Sequence, residues 1–233
     1  MNLTDNLAAT QQRIKAACDR ADREPNSVTL LAVSKTHPPE TIQAAADCGL
    51  VFFGENKIQE AKAKIPLCPG KLRWHFIGHL QSNKCRDAVQ LFEMIQSVDS
   101  LALAREIDKW ADKSAKTIPI LLEVNVAGES SKFGYGPQKL LSELKEINAL
   151  GKIEIHGLMT IAPWGAPEDV TRACFRSLRE WRDRWASVYP RLSLEVLSMG
   201  MSGDFPLAIA EGATRIRVGT ALFGKRAPYK GPL

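Results

Sequence analysis

The feature that most constrains the fold is a regular alternation of short apolar runs with helical patterns. The runs span residues 29–35, 51–55, 72–78, 93–98, 117–126, 152–160, 193–200 and 214–219. A helical pattern lies between each run and the next. Alternating strands and helices imply parallel strands joined by crossover helices, and such strands are continuously apolar because helices cover the sheet.

Eight such units predict a closed (β/α)₈ TIM barrel, with an open doubly wound sheet as the structural alternative. The chain has 233 residues, and α/β barrels commonly form single domains of about 250 residues. No repeat, low-complexity tract or flexible linker divides the chain. We therefore expect one barrel domain spanning residues 1–233, with an extra N-terminal helix at about 3–22.

Composition and cysteine spacing limit the class of protein and the compartment in which it works. Apolar residues make up 45% of the chain and the net charge is only +5, which excludes a disordered chain. The cysteines at 18, 48, 68, 85 and 174 show no metal-ligand spacing, and their odd number is unlike a disulfide framework. No signal-peptide start and no apolar stretch of roughly 20 residues occurs. We expect a soluble cytoplasmic protein without a metal site.

Lys35 closes the first apolar run, and barrel active sites lie at the C-terminal ends of strands. An ammonium group among apolar walls is costly to desolvate, so the neutral amine would be available to attack a carbonyl. The alternative is an ordinary surface lysine that begins a loop.

A second cluster lies in segments 197–204 and 215–220, which follow the seventh and eighth strands. Barrels frequently bind phosphate with these two loops and the N-terminus of a short helix. Hydroxyl groups come from Ser198, Ser202 and Thr220. Gly200, Gly203 and Gly219 would let backbone N–H groups approach an anion. Turn formation would require the same residue types, so both interpretations stay open.

Barrel closure would pair the first and last strands and bring the two clusters together. A carbonyl-reactive lysine beside a phosphate site suits pyridoxal 5′-phosphate, which carries an aldehyde and a phosphate. Arg217 could point inward to the pyridine nitrogen of this cofactor. Alternatively Arg217 faces outward and Arg215 takes the inward position.

Five motifs in order carry a family resemblance across nearly the whole chain. They are LLAVSKTHPPE, FFGENKIQEAKAK, LRWHFIGHLQSNK, IHGLMTIAP and LSMGMSGDFPLAIAEGATRIRVGTALFG. Together they resemble the pyridoxal phosphate homeostasis proteins. The resemblance implies a barrel similar to the N-terminal domain of bacterial alanine racemase, with the cofactor held as a Schiff base on Lys35.

The resemblance also implies the remaining cofactor contacts. Phosphate contacts would come from the SMGMS and RVGT motifs, and Arg217 would lie near the pyridine nitrogen. Asn56, His75 and Met159 match positions that line the family's cofactor pocket. The full set of expected cofactor-binding residues is Lys35, Asn56, His75, Met159, Ser198, Met199, Ser202, Arg217, Gly219 and Thr220.

The resemblance implies a non-catalytic protein of vitamin B6 homeostasis that carries or buffers the cofactor. We expect apo enzymes as recipients of the cofactor, and a monomer because the dimerising domain of the racemases is absent. The alternative is a weakly active amino-acid racemase or decarboxylase. A two-base racemase needs a second acid/base group opposite Lys35, and none of Tyr135, Tyr189 and Tyr229 is an obvious one.

Nucleic-acid binding is a third class of function, suggested by a stripe of arginines on the predicted helix 168–188. Interruption of the stripe by Glu180 and Asp183 favours a solvated helix face instead. The stripe consists of Arg172, Arg176, Arg179 and Arg182.

Overall fold

Eight parallel strands pair in chain order and close into a barrel. The computed structural model describes residues 2–129, 133–190 and 192–224. The strands are β1 (Thr29–Val33), β2 (Phe52–Glu55), β3 (Arg73–Phe76), β4 (Met94–Val98), β5 (Ile118–Glu123), β6 (Ile153–Met159), β7 (Val196–Ser198) and β8 (Arg215–Val218). This topology confirms the predicted (β/α)₈ barrel and excludes the open sheet.

Helices surround the strands and connect them. They are α1 (Leu3–Arg20), α2 (Pro39–Asp47), α3 (Ile58–Lys64), α4 (Cys85–Leu91), α5 (Leu101–Lys113), α6 (Pro137–Asn148), α7 (Glu168–Val188), α8 (Phe205–Ala210) and α9 (Thr220–Phe223). The predicted extra N-terminal helix is confirmed as α1, which packs against α8 and α9. Short 3₁₀ turns occur at 25–27, 65–67 and 82–84. Within the described residues, no helix combines the length and apolar character needed to cross a membrane.

Pairing of the first and last strands closes the barrel. Leu31 is the register partner of Arg217, and Ala32 is the partner of Val218. Because parallel strands end at the same rim, closure brings the loop after β1 beside the loop after β8. The two sequence clusters therefore meet at one end of the barrel.

The barrel interior is apolar in patches and polar elsewhere. One buried cluster joins Leu31, Val33 and Ile77, and another joins Met94, Leu121 and Met159. Alternate residues of a strand face the same side, so these residues identify the inward phase of their strands. The larger apolar core lies between the strands and the helices.

Two local expectations need correction or fall outside the described residues. By sequence, Asp99 can serve as the N-cap of the helix after the fourth apolar run, but Ser100 is the N-cap of α5 because its side chain accepts the Leu103 N–H. The strands are also shorter than the apolar runs. Lys35 and Gly219 end their runs beyond the strand, whereas Glu55 and Val98 end both the run and the strand. The glycine-rich segment 127–136, predicted to be a mobile loop, includes residues 130–132, which lie outside the described residues.

Candidate functional site

A cavity of about 760 Å³ opens at the C-terminal rim of the barrel. Six of the sequence-predicted residues line it, and they come from four different strand–loop connections. These six are Lys35, Asn56, Ser202, Arg217, Gly219 and Thr220. The other four, His75, Met159, Ser198 and Met199, lie outside its lining.

Lys35 continues the inward phase of β1. Leu31 and Val33 point into the barrel, so the residue two positions further shares their side. Lys35 is half-buried, and Val33 and Ile77 line the same cavity. The lysine stem thus leaves an apolar wall, as the sequence indicated.

The loops after β7 and β8 meet at Ser202. The Ser202 hydroxyl oxygen accepts the backbone N–H of Gly219 at 3.2 Å and that of Ala221 at 3.3 Å. Gly203 and Thr220 also line the cavity. Backbone donors and hydroxyl groups gathered at one wall are the groups that bind phosphate oxygens.

Gly200 has a packing role rather than a place in the cavity lining. Its φ of +91° is in the left-handed region, and an added Cβ would lie 2.6 Å from the Ala208 Cβ. A glycine is therefore required where the chain passes under α8.

Arg217 is a buried cation that donates three hydrogen bonds to the protein. Its Nη1 donates to the carbonyl and the hydroxyl of Ser198 at 2.8 and 2.9 Å, and its Nη2 donates to the Thr160 carbonyl at 2.9 Å. Burial lowers the pKa of Arg217 to about 10, partly offset by the charges of Glu123 and Asp204. The guanidinium therefore stays charged at neutral pH.

Arg215 also faces inward, so the two arginines were not alternatives. Residues two apart on a strand share a face, and Arg215 lies one layer deeper, where its Nη1 contacts Met94 Sδ at 2.9 Å. Burial and the charge of Arg73 lower the pKa of Arg215 to about 10.

A hydrogen-bond chain runs from Arg217 into the barrel and explains two of the residues outside the lining. Ser198 Oγ donates to Gln96 Oε1 at 2.7 Å, and Gln96 Nε2 lies 2.9 Å from His75 Nδ1. Burial, with the charges of Arg215 and Arg73, holds the pKa of His75 well below its usual value. His75 is thus neutral and accepts from Gln96.

Met159 and Met199 are structural in this arrangement. Met159 packs inside the barrel with Met94 and Leu121. Met199 belongs to the core between strands and helices, and its backbone N–H donates to the Arg215 carbonyl. Neither methionine lines the cavity.

Sequence reasoning missed several residues at or near the site. Trp164 lines the cavity with 93% of its surface exposed, and Asp204 lines it beside Gly203. Glu123, at the end of β5, is a buried carboxyl group. Its position at a strand end was the available signal, because polar residues that close barrel strands face the mouth.

Asn56 carries an unsatisfied buried atom. Its side chain lines the cavity, and among the described residues no group hydrogen-bonds to its buried Oδ1. Because buried polar atoms are nearly always paired, this oxygen suits a ligand that donates a hydrogen bond.

The arginine stripe on α7 faces a carboxylate of its own chain. Arg172, Arg176 and Arg179 lie 3.6, 3.1 and 3.3 Å from carboxylate oxygens of Glu211, whose side chain is 5% exposed. The stripe is therefore an ion-pair cluster on α7 and not simply a solvated face. No grouping of metal-binding side chains occurs within the described part of the chain.

The fold and the cavity define a barrel of the alanine racemase N-terminal class. The chain belongs to this family: the model for the alanine racemase N-terminal domain matches residues 6–227. A likeness to alanine racemase of Clostridium difficile 630 has a TM-score of 0.73 at 15% identity, covers 97% of this chain and 57% of that one, and concerns the fold alone.

Nearer relatives are full-length matches. The pyridoxal phosphate homeostasis protein of Aquifex aeolicus is 45% identical over 228 residues, which cover 97% of this chain and 99% of that protein. The structure of PipY from Synechococcus elongatus PCC7942 is 42% identical and covers 96% of this chain and 100% of that one. Its TM-score is 0.87 without PLP and 0.85 with PLP bound.

Proposed function

We propose that this chain binds pyridoxal 5′-phosphate reversibly at Lys35 and serves intracellular vitamin B6 homeostasis by carrying the cofactor. The observation that carries the proposal is the shared cavity. Lys35 from the end of β1 and the Ser202, Gly219 and Thr220 loops from β7 and β8 line one space. A lysine and a set of phosphate donors are the two elements that this cofactor requires.

The residues of the cavity fit the cofactor in charge and in donor type. Among the described residues that line the cavity, the charged groups are Lys35, Arg217 and one carboxylate, Asp204, whose Oδ1 already accepts the Met201 N–H. The wall is therefore net cationic and suits an anionic ligand. The orphaned Asn56 Oδ1 would accept from a hydroxyl group of the ligand.

Arg217 would keep the pyridine nitrogen of the cofactor unprotonated. A guanidinium that stays charged at neutral pH cannot accept a proton, so it disfavours protonation of a pyridine nitrogen placed beside it. The cofactor supplies an aldehyde for reversible bonding and a ring that withdraws electrons when its nitrogen is protonated. Arg217 would thus weaken the electron-withdrawing property of the ring and leave the aldehyde free to bond reversibly.

Lys35 would hold the cofactor covalently through its amine. The cofactor would supply an aldehyde that condenses with an amine, and the aldehyde oxygen would leave as water with the two hydrogens of the amine. Such a linkage reverses by addition of water. The names of the relatives as homeostasis proteins support retention and release of the cofactor rather than turnover.

An absorbance titration with matched variants tests the binding proposal. The wild type should develop the visible absorbance of a protein-bound Schiff base. Lys35→Ala and Lys35→Arg should not, because neither side chain condenses with an aldehyde. Lys57→Ala, at an exposed lysine near Asn56, is the control and should match the wild type. A colourless wild type, or a fully coloured Lys35→Arg variant, would overturn the proposal.

Two further assays separate a carrier from an enzyme. A carrier should transfer its cofactor to an apo enzyme, and a racemase or decarboxylase should turn over amino acids. Turnover near 10 s⁻¹, ordinary for enzymes, would contradict the non-catalytic role. The cavity lining in the described residues includes no tyrosine or histidine as a second base.

The setting of this function is proposed from the same features. Within the described residues the five cysteines form no disulfide, which suits a reducing cytoplasm. We infer a cytoplasmic monomer, and sedimentation at several concentrations should give a single mass of 25.7 kDa.

A further inference from the structure

The residues on either side of Lys35 are bonded to a buried charged cluster behind the cavity. The cluster consists of Glu55 at the end of β2 with Glu60 and Lys64 on α3. Lys64 Nζ lies 2.9 Å from Glu55 Oε1 and 2.7 Å from Glu60 Oε1, and no side chain of the three is more than 11% exposed. None of the three lines the cavity.

Ser34 is held by the cluster on the N-terminal side of Lys35. Its hydroxyl donates to Glu55 Oε1 at 2.7 Å, and its carbonyl accepts from Lys64 Nζ at 3.0 Å. Its backbone N–H donates to the Gly54 carbonyl at 3.1 Å. Both the backbone and the side chain of Ser34 are therefore fixed.

Thr36 is held on the C-terminal side. Its backbone N–H donates to Glu60 Oε1, the same oxygen that Lys64 contacts. The φ angle of Thr36 is +68°, in the left-handed region that residues other than glycine rarely adopt. Strained backbone of this kind persists only where the surroundings hold it.

The cluster is costly for the fold, which makes a purely structural role a poor explanation. Two carboxylates and one ammonium group are buried together, and such groups are often replaced by apolar residues without loss of stability. Burial raises the pKa of Glu55, with Lys64 and Ser34 acting in the opposite direction. What the charged cluster provides, and an apolar one would not, is hydrogen bonds to the backbone beside Lys35.

We propose that Glu55, Glu60 and Lys64 are positioning residues for Lys35, which fix the chain on both sides of the lysine so that its amine meets an aldehyde in the cavity. This inference rests on the proposed function. Correct alignment of reacting atoms accounts for large rate effects, and small displacements are costly. The cluster thus acts on the rate of condensation without touching the cofactor.

The test compares two substitutions of Glu60. Glu60→Ala removes the acceptor for Thr36, whereas Glu60→Gln keeps an oxygen that accepts from both Thr36 and Lys64. We expect Glu60→Ala to slow formation of the Schiff base absorbance about tenfold after mixing apo protein with pyridoxal phosphate, and Glu60→Gln to stay within about twofold of wild type. Amide exchange in residues 33–37 should accelerate in Glu60→Ala alone.

The control is Asp87→Ala on α4. It removes a partly exposed carboxylate that lies 3.1 Å from Lys62 of α3, the helix that also carries Glu60. It should leave the rate unchanged. Ser34→Ala removes one hydroxyl bond to the cluster, should slow condensation about threefold, and gives the comparison if Glu60→Ala does not fold.

The outcomes separate this inference from the proposed function. A wild type that forms no Schiff base would overturn the proposed function. A wild type that forms it while folded Glu60→Ala and Ser34→Ala condense at the wild-type rate would overturn the positioning role alone. A lowered melting temperature with an unchanged rate would show that the cluster serves only folding.

Discussion

At the scale of single residues, the barrel interior contains a carboxyl group whose ionisation is opposed by its surroundings. Glu123 is 7% exposed at the end of β5. Burial and the charge of Asp99 together raise its pKa to about 7, although Arg217 acts in the opposite direction. Folded protein therefore holds a proton that the unfolded chain releases near pH 4.5.

This proton makes stability depend on pH. Between about pH 4.5 and 7 the folded state binds more protons than the unfolded state, so the contribution of Glu123 falls as pH rises. Glu123→Gln imitates the protonated group. In apo protein we expect the variant to match the wild type near pH 4.5 and to be more stable by about 3 kcal/mol at pH 8. Urea denaturation at both pH values measures this, and equal stabilities at pH 8 would contradict it.

The hydrogen-bond chain beneath Arg217 gives a second prediction. Gln96 Oε1 accepts a hydrogen bond from the Ser198 hydroxyl, and Gln96 Nε2 donates one to His75 Nδ1. Gln96→Leu would leave His75 Nδ1 without its donor and the Ser198 hydroxyl without its acceptor in the interior, which should lower the free energy of unfolding by about 3 kcal/mol. Gln138→Leu, at an exposed position of α6, is the control and should change it by under about 0.5 kcal/mol. A similar small loss for Gln96→Leu would refute the pairing.

At the scale of elements, the sequence predicted every strand and each of the main helices, because apolar runs and helical spacing report burial directly. The long α7 (Glu168–Val188) agrees with the predicted 168–188. The boundaries of strands were less predictable. The predicted strand 29–35 ends at Val33 in the structure, and beyond this end the Ser34 side chain donates to Glu55.

Contacts between elements could not be predicted from spacing alone. Lys35, Ser202 and Gly219 were found because strand ends and glycine-rich loops are local signals. Glu55, Glu60 and Lys64 form one cluster only when α3 folds back onto β2. Arg217 and Arg215 show a different limit. The expectation that only one of them faces inward is wrong, because residues two apart on a strand share a face.

The α7 arginines illustrate such a contact and allow a prediction. Arg172, Arg176 and Arg179 converge on Glu211 at the end of α8. Glu211→Ala would leave three cations without their common partner and should destabilise the protein by about 2 kcal/mol, more at low salt than at high salt. Glu180→Ala, an exposed acidic residue of α7, should have little effect. Equal effects of the two substitutions in thermal denaturation would contradict this account.

At the scale of the whole molecule, closure between β1 and β8 makes the site depend on the complete ring of strands. No single strand–helix unit holds both Lys35 and the loops opposite it. We propose that the chain behaves as one folding unit, as the continuous ring implies.

A cooperative transition should follow. Trp74 lies on β3 and Trp185 on α7, and both are buried, so tryptophan fluorescence reports on the barrel and on its helical layer. Fluorescence and far-ultraviolet circular dichroism should give one coincident transition in urea. Two separated midpoints would indicate independent units and refute the proposal.

The central claim is that the chain retains pyridoxal phosphate through Lys35. Borohydride reduction followed by peptide mapping tests this most directly, because reduction makes the Schiff base permanent at the residue where it forms. The account predicts a single pyridoxyl phosphate modification on the peptide that contains Lys35. Modification of another lysine instead, or no modification of protein saturated with the cofactor, would contradict it.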